Sequence, residues 1–146
     1  MILWRVSNYA TLDWMGGLFV SGRWHTKGRP VVYCTLNPST ALLETLVHME
    51  IDSEDRPERF QVLKIEGPDT LSQERIDALP SDWADDLGAA QSLGDQWLSE
   101  ERSLLLAVPS VLVPETWNVL VNPRHMEANL LKIALTYDHA FDVRFF

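Results

Sequence analysis

Residues 30–47 read Pro-Val-Val-Tyr-Cys-Thr-Leu-Asn-Pro-Ser-Thr-Ala-Leu-Leu-Glu-Thr-Leu-Val, and this stretch decides the fold class. Its first seven residues are rich in β-branched and aromatic side chains, which predicts a strand. Asn37 and Pro38 then end the strand and begin a helix, because asparagine caps helices and proline suits their first turn. Apolar residues at helical spacing follow as far as Met49, and they leave Glu44 on the opposite flank of the helix. The first third of the chain is therefore predicted to contain a strand that passes directly into a helix.

Beyond residue 50, predicted strands outnumber predicted helices. Residues 89–101 have helical spacing, with Leu93, Trp97 and Leu98 as apolar anchors. Five apolar or alternating stretches are typical of strands: residues 60–66, 103–108, 117–121, 131–138 and 141–145. Because the strands do not alternate with helices as βαβ units do, the pattern favours an α+β fold with a mainly antiparallel sheet and helices packed outside. No linker or repeat divides the chain, which predicts a single domain over residues 1–146.

The composition is that of a globular protein, and it excludes several function classes. The 146 residues carry a formal net charge of −9, with 46% hydrophobic and 23% charged side chains. This charge argues against nucleic-acid or anionic-membrane binding, and no apolar stretch is long enough to span a bilayer. The first 48 residues hold four basic side chains and two acidic ones, so a basic pocket for an anionic small molecule is expected there. The absence of signal-peptide features and the single cysteine favour a reducing cytoplasm.

Few side chains form a recognisable catalytic or metal-binding pattern. The sequence has no Gly-rich phosphate loop, no His-Glu-x-x-His motif and no Gly-x-Ser-x-Gly motif. Its four histidines are scattered without ligands at metal-site spacing, so no metal centre is expected. Cys34 lies in a predicted strand and is interpreted as a small buried hydrophobic residue rather than a nucleophile. Local patterns alone therefore leave the function open.

Several unlike segments occur in an order and spacing that resemble one known family. They extend from residue 4 to residue 144 and include Gly22-Arg23-Trp24, Val32-Tyr33, Leu42-Leu43-Glu44, Leu93-Gly94-Asp95, Val108-Pro109-Ser110 and Asn122-Pro123. Together they are similar to the RES domain, which is named after its Arg, Glu and Ser positions. One departure is visible, because His25 follows the Arg-Trp pair where this family is expected to have asparagine.

The resemblance implies an ADP-ribosyltransferase-like fold with a split, mainly antiparallel sheet around a cleft for NAD. RES proteins are toxins of bacterial toxin–antitoxin pairs, and they consume NAD by hydrolysis or phosphorolysis of the nicotinamide–ribose bond. Some are reported to transfer ADP-ribose to a protein. The cognate antitoxin is of the Xre type, with a helix-turn-helix domain, and it covers the cleft. The resemblance thus implies a cytoplasmic toxin that binds NAD and an antitoxin, without direct contact to nucleic acid or membrane, and a homodimer stays open.

The matching motifs give candidate roles to individual side chains. Arg5 and Arg23 are the candidates for the NAD pyrophosphate, because arginine presents a planar, permanently charged fork. Tyr33 offers its ring to the nicotinamide, with a hydroxyl free to bond the ribose or the amide. Glu44 is the candidate that stabilises the positive charge which develops on the ribose as the glycosidic bond breaks. Ser110 is expected to donate a hydrogen bond to the ribose or amide, since nothing supplies the base that a nucleophilic serine needs.

Arg23, Glu44 and Ser110 are therefore the predicted catalytic residues. Asn122 is open to two interpretations: its amide could bond the ligand, or it could belong to a structural Asn-Pro turn.

The leading function is an NAD glycohydrolase or phosphorylase, and a protein ADP-ribosyltransferase is the alternative, because both break the same bond. A catalytically inactive interaction module is a further alternative. A ribonuclease-like toxin is disfavoured by the net charge of −9 and by the lack of a basic patch with interleaved aromatic residues.

Overall fold

The computed structural model describes residues 1–7, 16–48 and 58–145. It has seven strands: β1 (Ile2–Ser7), β2 (Val32–Thr35), β3 (Arg59–Glu66), β4 (Gln73–Arg75), β5 (Leu105–Pro109), β6 (Trp117–Val121) and β7 (Lys132–Ala140). The helices are α1 (Gly16–Phe19), α2 (Pro38–Val47) and α3 (Leu87–Glu100), with short 3-10 turns at Trp83–Asp85, Ala128–Leu130 and Val143–Phe145. Within the described ranges no helix has both the length and the hydropathy needed to cross a membrane.

The strands form one sheet that is almost divided in two. Their order is β4-β5-β6-β2-β1-β3-β7, and each described neighbouring pair is antiparallel except β4 and β5. At the centre, β1 and β2 pair through Trp4 and Thr35 alone, whereas β1 and β3 pair along the whole of β1. We call β4, β5, β6 and β2 the α3 half and β1, β3 and β7 the β7 half. The predicted α+β class with a split, mainly antiparallel sheet is confirmed.

Both faces of the α3 half are buried, each against its own core. The front face packs Leu106, Val108 and Leu120 against Trp97 and Leu98 of α3. The back face presents alternate residues of the same strands, because successive side chains of a strand point to opposite sides. These residues join Leu3 of β1 in a second core, and they include Val32, Cys34, Leu105, Val119 and Val121.

Helix α2 lies at the division of the sheet, where it packs on both β1 and β2. The predicted cap is confirmed: Asn37 Oδ1 accepts hydrogen bonds from the backbone N–H groups of Ser39 at 2.8 Å and Thr40 at 3.4 Å. The predicted apolar stripe is wrong in part, because Leu43 and Val47 are exposed, and Met49 lies outside the described residues. The helix instead buries Ala41 and turns a half-buried glutamate toward β5 and β6, so its packed face is not its most apolar one.

Helix α3 is pressed closely onto the front face. Gly94 makes this approach feasible, because a Cβ atom there would lie only 1.6 Å from the Trp24 carbonyl oxygen. Trp97 is buried and donates its indole N–H to Ser103 Oγ at 2.8 Å. The predicted anchor Leu93 is exposed, and Ala90 takes a place in the core.

The C-terminal segment differs from the prediction. The strand predicted over residues 131–138 is β7, which runs from Lys132 to Ala140, but the expected half-buried alternation is wrong because most of its side chains are exposed. Residues 143–145 form a 3-10 turn and not a strand, because the Asp142 carboxylate accepts the backbone N–H of Arg144 at 2.9 Å and curls the chain. The short strand β4 was not predicted, since three polar residues carry no alternation of apolar side chains.

Candidate functional site

The Glu44 carboxylate is held by two side chains from distant parts of the chain. Its Oε1 atom accepts hydrogen bonds from Ser110 Oγ at 2.8 Å and from Asn118 Nδ2 at 2.9 Å. Ser110 is 7% exposed, whereas Glu44 is half-buried. No described residue donates to Oε2, so the described residues fix one carboxylate oxygen and not the other. We call these three residues the carboxylate clamp.

The hairpin of β5 and β6 positions both donors. Ser110 directly follows β5, and its backbone N–H donates to the Thr116 carbonyl at 2.8 Å, which closes the loop between the strands. The Ser110 Oγ accepts the Leu112 N–H at 3.1 Å. A hydroxyl has one hydrogen, so it goes to Glu44. Ser110 thus acts here as a donor to the carboxylate, and a direct bond from Ser110 to a ligand stays a prediction.

Asn118 is a member of the clamp to which sequence reasoning gave no role. It pairs with Val108 on one side and with Thr35 on the other, in the middle of the α3 half. Its side chain points to the front face, as that of Leu120 does, because the two alternate with the back-face residue Val119. The signal in the sequence is a single amide in the otherwise apolar stretch 117–121. Asn118 Oδ1 is buried without a partner among the described residues, which leaves one acceptor at the site unused.

Tyr33 lies on the same face, two residues before Thr35 on β2. Its hydroxyl accepts the backbone N–H of Trp24 at 3.2 Å and lies 2.7 Å from Nδ1 of His25. The prediction of a free hydroxyl is therefore wrong, since this group is already bonded within the protein. Burial raises the pKa of the Tyr33 hydroxyl above its usual range, and the Trp24 hydrogen bond offsets only part of that effect. Tyr33 is a neutral phenol throughout the physiological pH range.

Arg23 stands in a tight turn at the tip of the Tyr33 side chain. Gly22 and His25 form an isolated antiparallel bridge around Arg23 and Trp24, with the Gly22 N–H bonded to the His25 carbonyl at 3.1 Å. Glycine is required at the start of this turn, because a Cβ atom would lie 2.5 Å from the Tyr33 hydroxyl. The Arg23 guanidinium donates one hydrogen bond to the Ala84 carbonyl at 3.0 Å, and arginine carries four further N–H donors.

Arg5 and Asn122 lie apart from the clamp. Arg5 pairs with Leu63, a back-face core residue, so its side chain leaves the sheet on the side away from Tyr33. It donates to the Tyr33 carbonyl at 2.8 Å, while its Nε is buried and has no partner in the part of the chain that the structure describes. Asn122 is 1% exposed; it donates to the Leu98 carbonyl at 3.1 Å and accepts the Arg124 N–H at 3.1 Å. This geometry favours the structural interpretation of Asn122, and ligand binding by either residue stays a prediction.

Cys34 is placed as a core residue rather than a reactive thiol. It belongs to the back-face core, and burial raises its pKa to about 12, although the positive charge of Arg5 acts in the opposite direction. On the same face is a mostly apolar cavity of about 290 Å³, with Val32, Ile65 and Leu131 in its wall. The clamp lies on the opposite face of the sheet, so this cavity is separate from it.

The structure thus brings Glu44 and Ser110 into contact, and it links Tyr33 to the Arg23 turn. Thr35, two residues after Tyr33, pairs with Asn118, so both groups lie along one face of β2 and β6. Arg5 and Asn122 are not part of this arrangement.

Comparison with known proteins identifies the family. The sequence profile of the RES domain matches residues 2–144. The chain belongs to the RES domain family. Toxin Res of Pseudomonas putida is 49% identical to this RES domain over 146 residues, which is the full length of both proteins. The family predicted from the sequence is therefore confirmed.

Two further relatives extend the comparison to a named activity and to a solved fold. The Prs ADP-ribosylating toxin of a Sphingobium species is 34% identical to this RES domain, over 97% of this chain and 94% of that protein. A chain in the crystal structure of the M. tuberculosis MbcT–MbcA toxin–antitoxin complex matches with a TM-score of 0.76 at 15% identity, over 95% of this chain and 84% of that one. The second match shows the fold alone.

Proposed function

We propose that this RES domain is a toxin that consumes NAD by breaking the bond between nicotinamide and ribose. The observation that carries the proposal is the carboxylate clamp, in which Ser110 and Asn118 hold Oε1 of Glu44 while no described residue donates to Oε2. Cleavage of this bond develops positive charge on the ribose, and a carboxylate fixed beforehand stabilises that charge without reorganising in the transition state. The name of the Pseudomonas relative supports a toxin, and the name of the Sphingobium relative, an ADP-ribosylating toxin, supports the use of NAD.

In the proposed reaction the bond between C1 of the ribose and the nicotinamide nitrogen breaks, and neutral nicotinamide leaves with the electron pair. The free Oε2 of Glu44 faces the positive ribose or accepts one of its hydroxyl groups. Water or phosphate then attacks C1, and the attacking oxygen loses its proton to solvent or to Glu44. Tyr33 supplies a ring face for the nicotinamide, and the remaining donors of Arg23 bind the pyrophosphate.

Transfer of ADP-ribose to a protein is the second candidate. It is favoured by the 34% identical Sphingobium relative, which is named an ADP-ribosylating toxin. The chemistry at Glu44 is the same, and only the attacking group changes. Incubation with NAD in water, in phosphate buffer and with a cell extract distinguishes these routes: ADP-ribose, ADP-ribose 1-phosphate or labelled protein is formed, with nicotinamide released in each case.

Glu44→Gln is the decisive variant. It keeps the size of the side chain and an oxygen for Ser110 and Asn118, but it removes the negative charge. We expect kcat for nicotinamide release to fall by about two to three orders of magnitude, as for other removed electrostatic stabilisers. Glu66→Gln on β3 is the matched control, because Glu66 is exposed and far along the sheet from the clamp. Near-normal turnover by Glu44→Gln, with an unchanged thermal melt, would contradict the proposal.

A protein antitoxin is the proposed partner. The MbcT–MbcA complex is a toxin–antitoxin pair with a chain of this fold, and the resemblance to RES proteins implies an antitoxin of the Xre type. Residues 76–101 contain seven acidic and no basic side chains, so we expect this part of the surface to face solvent or a basic partner. We propose a cytoplasmic site of action, where NAD is available.

A further inference from the structure

His25 is a buried histidine that the proposed chemistry does not use. It is 3% exposed, and it occupies the position after the Arg-Trp pair where asparagine was expected. A buried polar ring is costly unless its nitrogen atoms are bonded. Both nitrogen atoms of His25 have partners, and one partner is the hydroxyl of Tyr33.

The partners define which nitrogen carries the hydrogen. Nε2 lies 2.9 Å from the Val20 carbonyl, which can only accept, so Nε2 is the donor. In the neutral ring Nδ1 is then an acceptor, and the Tyr33 hydroxyl donates to it across 2.7 Å. The Tyr33 oxygen in turn accepts the Trp24 N–H at 3.2 Å. A chain of directed hydrogen bonds therefore runs from the Trp24 backbone through Tyr33 and His25 to Val20.

This chain is held in place on the side of α3. The residue after His25, Thr26, bonds the Asp95 carboxylate through its backbone N–H at 2.9 Å and its hydroxyl at 2.6 Å. Arg29 lies 3.1 Å from the same carboxylate and offsets its charge. Gln91 donates to the Gly22 carbonyl at 2.9 Å. Since both ends of the turn are tied to α3, His25 has a fixed position from which to orient Tyr33.

We propose that His25 is a positioning residue, which fixes the Tyr33 side chain, and the Arg23 turn beside it, in the geometry that binds NAD. The inference rests on the proposed function, because Tyr33 and Arg23 are its NAD-binding residues. His25 acts through the hydroxyl of Tyr33 and does not itself touch the ligand. Binding of NAD before the reaction depends on this geometry. The charge of Glu44 does not depend on it.

The variants His25→Leu, His25→Asn and Tyr33→Phe test the proposal by nicotinamide release at varied NAD concentration. His25→Leu removes both hydrogen bonds, and we expect KM to rise about three- to tenfold with little change in kcat, the effect of one lost buried hydrogen bond. His25→Asn should recover most of kcat/KM, because its Oδ1 is bonded to Cγ as Nδ1 is and can accept from Tyr33. His139→Leu on the exposed strand β7 is the matched control and should leave both constants unchanged.

The third variant separates positioning from a general loss of structure. Tyr33→Phe deletes the hydroxyl through which His25 acts, so adding His25→Leu to it should cause no further loss of kcat/KM. Fully additive losses, an unchanged KM in His25→Leu, or no rescue by His25→Asn would overturn the inference. Thermal melts of all variants identify any that fail to fold.

Failure of the inference and failure of the proposed function give different results. If the wild-type protein releases no nicotinamide, the proposed function is wrong. If the wild type is active and His25→Leu matches it, only the positioning role is wrong. The ring of His25 provides a readout without NAD: ¹⁵N spectra of the neutral imidazole form should place its hydrogen on Nε2, and a hydrogen on Nδ1 instead would overturn the hydrogen-bond chain.

Discussion

The two halves of the sheet differ in how completely their strands are buried. In the α3 half, Leu105 and Leu106 point to opposite faces and both are buried. In the β7 half, the nine-residue strand β7 has a single half-buried side chain, Ile133, and the rest are exposed. The clamp draws Ser110 and Asn118 from the hairpin of the α3 half, while Glu44 comes from the helix at the division between the halves.

The difference shows where rigidity is needed. A carboxylate stabilises a developing charge only if its donors are already in place, and a strand packed on both faces fixes its side chains better than an exposed one. The β7 half supplies the back-face core through Leu3, Leu63 and Ile65, which does not require β7 itself to be buried. We therefore expect the precisely positioned donors of the clamp in the α3 half, and greater tolerance to substitution in the β7 half.

The largest effect expected from this comparison is on stability. Leu120 of β6 is fully buried and Leu135 of β7 is 48% exposed. We expect Leu120→Ala to lower the free energy of unfolding by about 2–5 kcal/mol, because it removes buried contacts and leaves a cavity. Leu135→Ala should change it by about 0.5 kcal/mol or less. Urea unfolding of both variants measures the difference, and equal losses would show that the halves are not distinct.

A smaller difference is expected between the kinetic effects of substituting two arginines, Arg23 and Arg59. Arg23 lies at the front face of the α3 half, and Arg59 lies on β3, where it pairs with Asp138 at 3.0 Å. Arg23→Ala should raise KM for NAD about tenfold or more and lower kcat much less, because the pyrophosphate is bound both before and during the reaction. Arg59→Ala should leave both constants unchanged. A fall confined to kcat would instead place Arg23 in the chemical step.

The smallest expected signal is the reactivity of Cys34. Its burial and a pKa raised to about 12 mean that almost no thiolate exists at pH 8, so a thiol reagent should label it only after unfolding. Thr136→Cys combined with Cys34→Ala is the control, because residue 136 is exposed on β7 and should react at once. Rapid labelling of Cys34 in the folded protein would show that the back face of β2 opens.

Local signals in the sequence predicted the elements that depend on neighbouring residues. The strand, the Asn37 cap and the helix of the opening stretch were all confirmed, and strand β6 has the predicted bounds. Helical spacing placed Glu44 on the flank opposite the apolar stripe, but it could not show which side chains Glu44 meets there, because its partners lie 66 and 74 residues further along the chain. No periodicity within α2 contains that information.

The site residues, like the secondary structure, could be predicted from the sequence only in part. The resemblance to RES domains named Glu44 and Ser110, which the structure brings into contact. Asn118 was not given a role because an amide in a strand has no local meaning until its face is known. Tyr33 was predicted with a free hydroxyl, since the turn that returns His25 to it is formed by a bridge between residues 22 and 25.

The long separation within the carboxylate clamp also orders events during synthesis of the protein. Glu44 leaves the ribosome early, but its donors at positions 110 and 118 come from the last part of the chain. Chains grow from the N-terminus at about 5–20 residues per second, so for several seconds a nascent chain carries the glutamate without the groups that orient it. An activity that depends on the clamp is therefore withheld until translation is nearly finished, because a chain that ends before β6 contains the carboxylate but lacks Asn118.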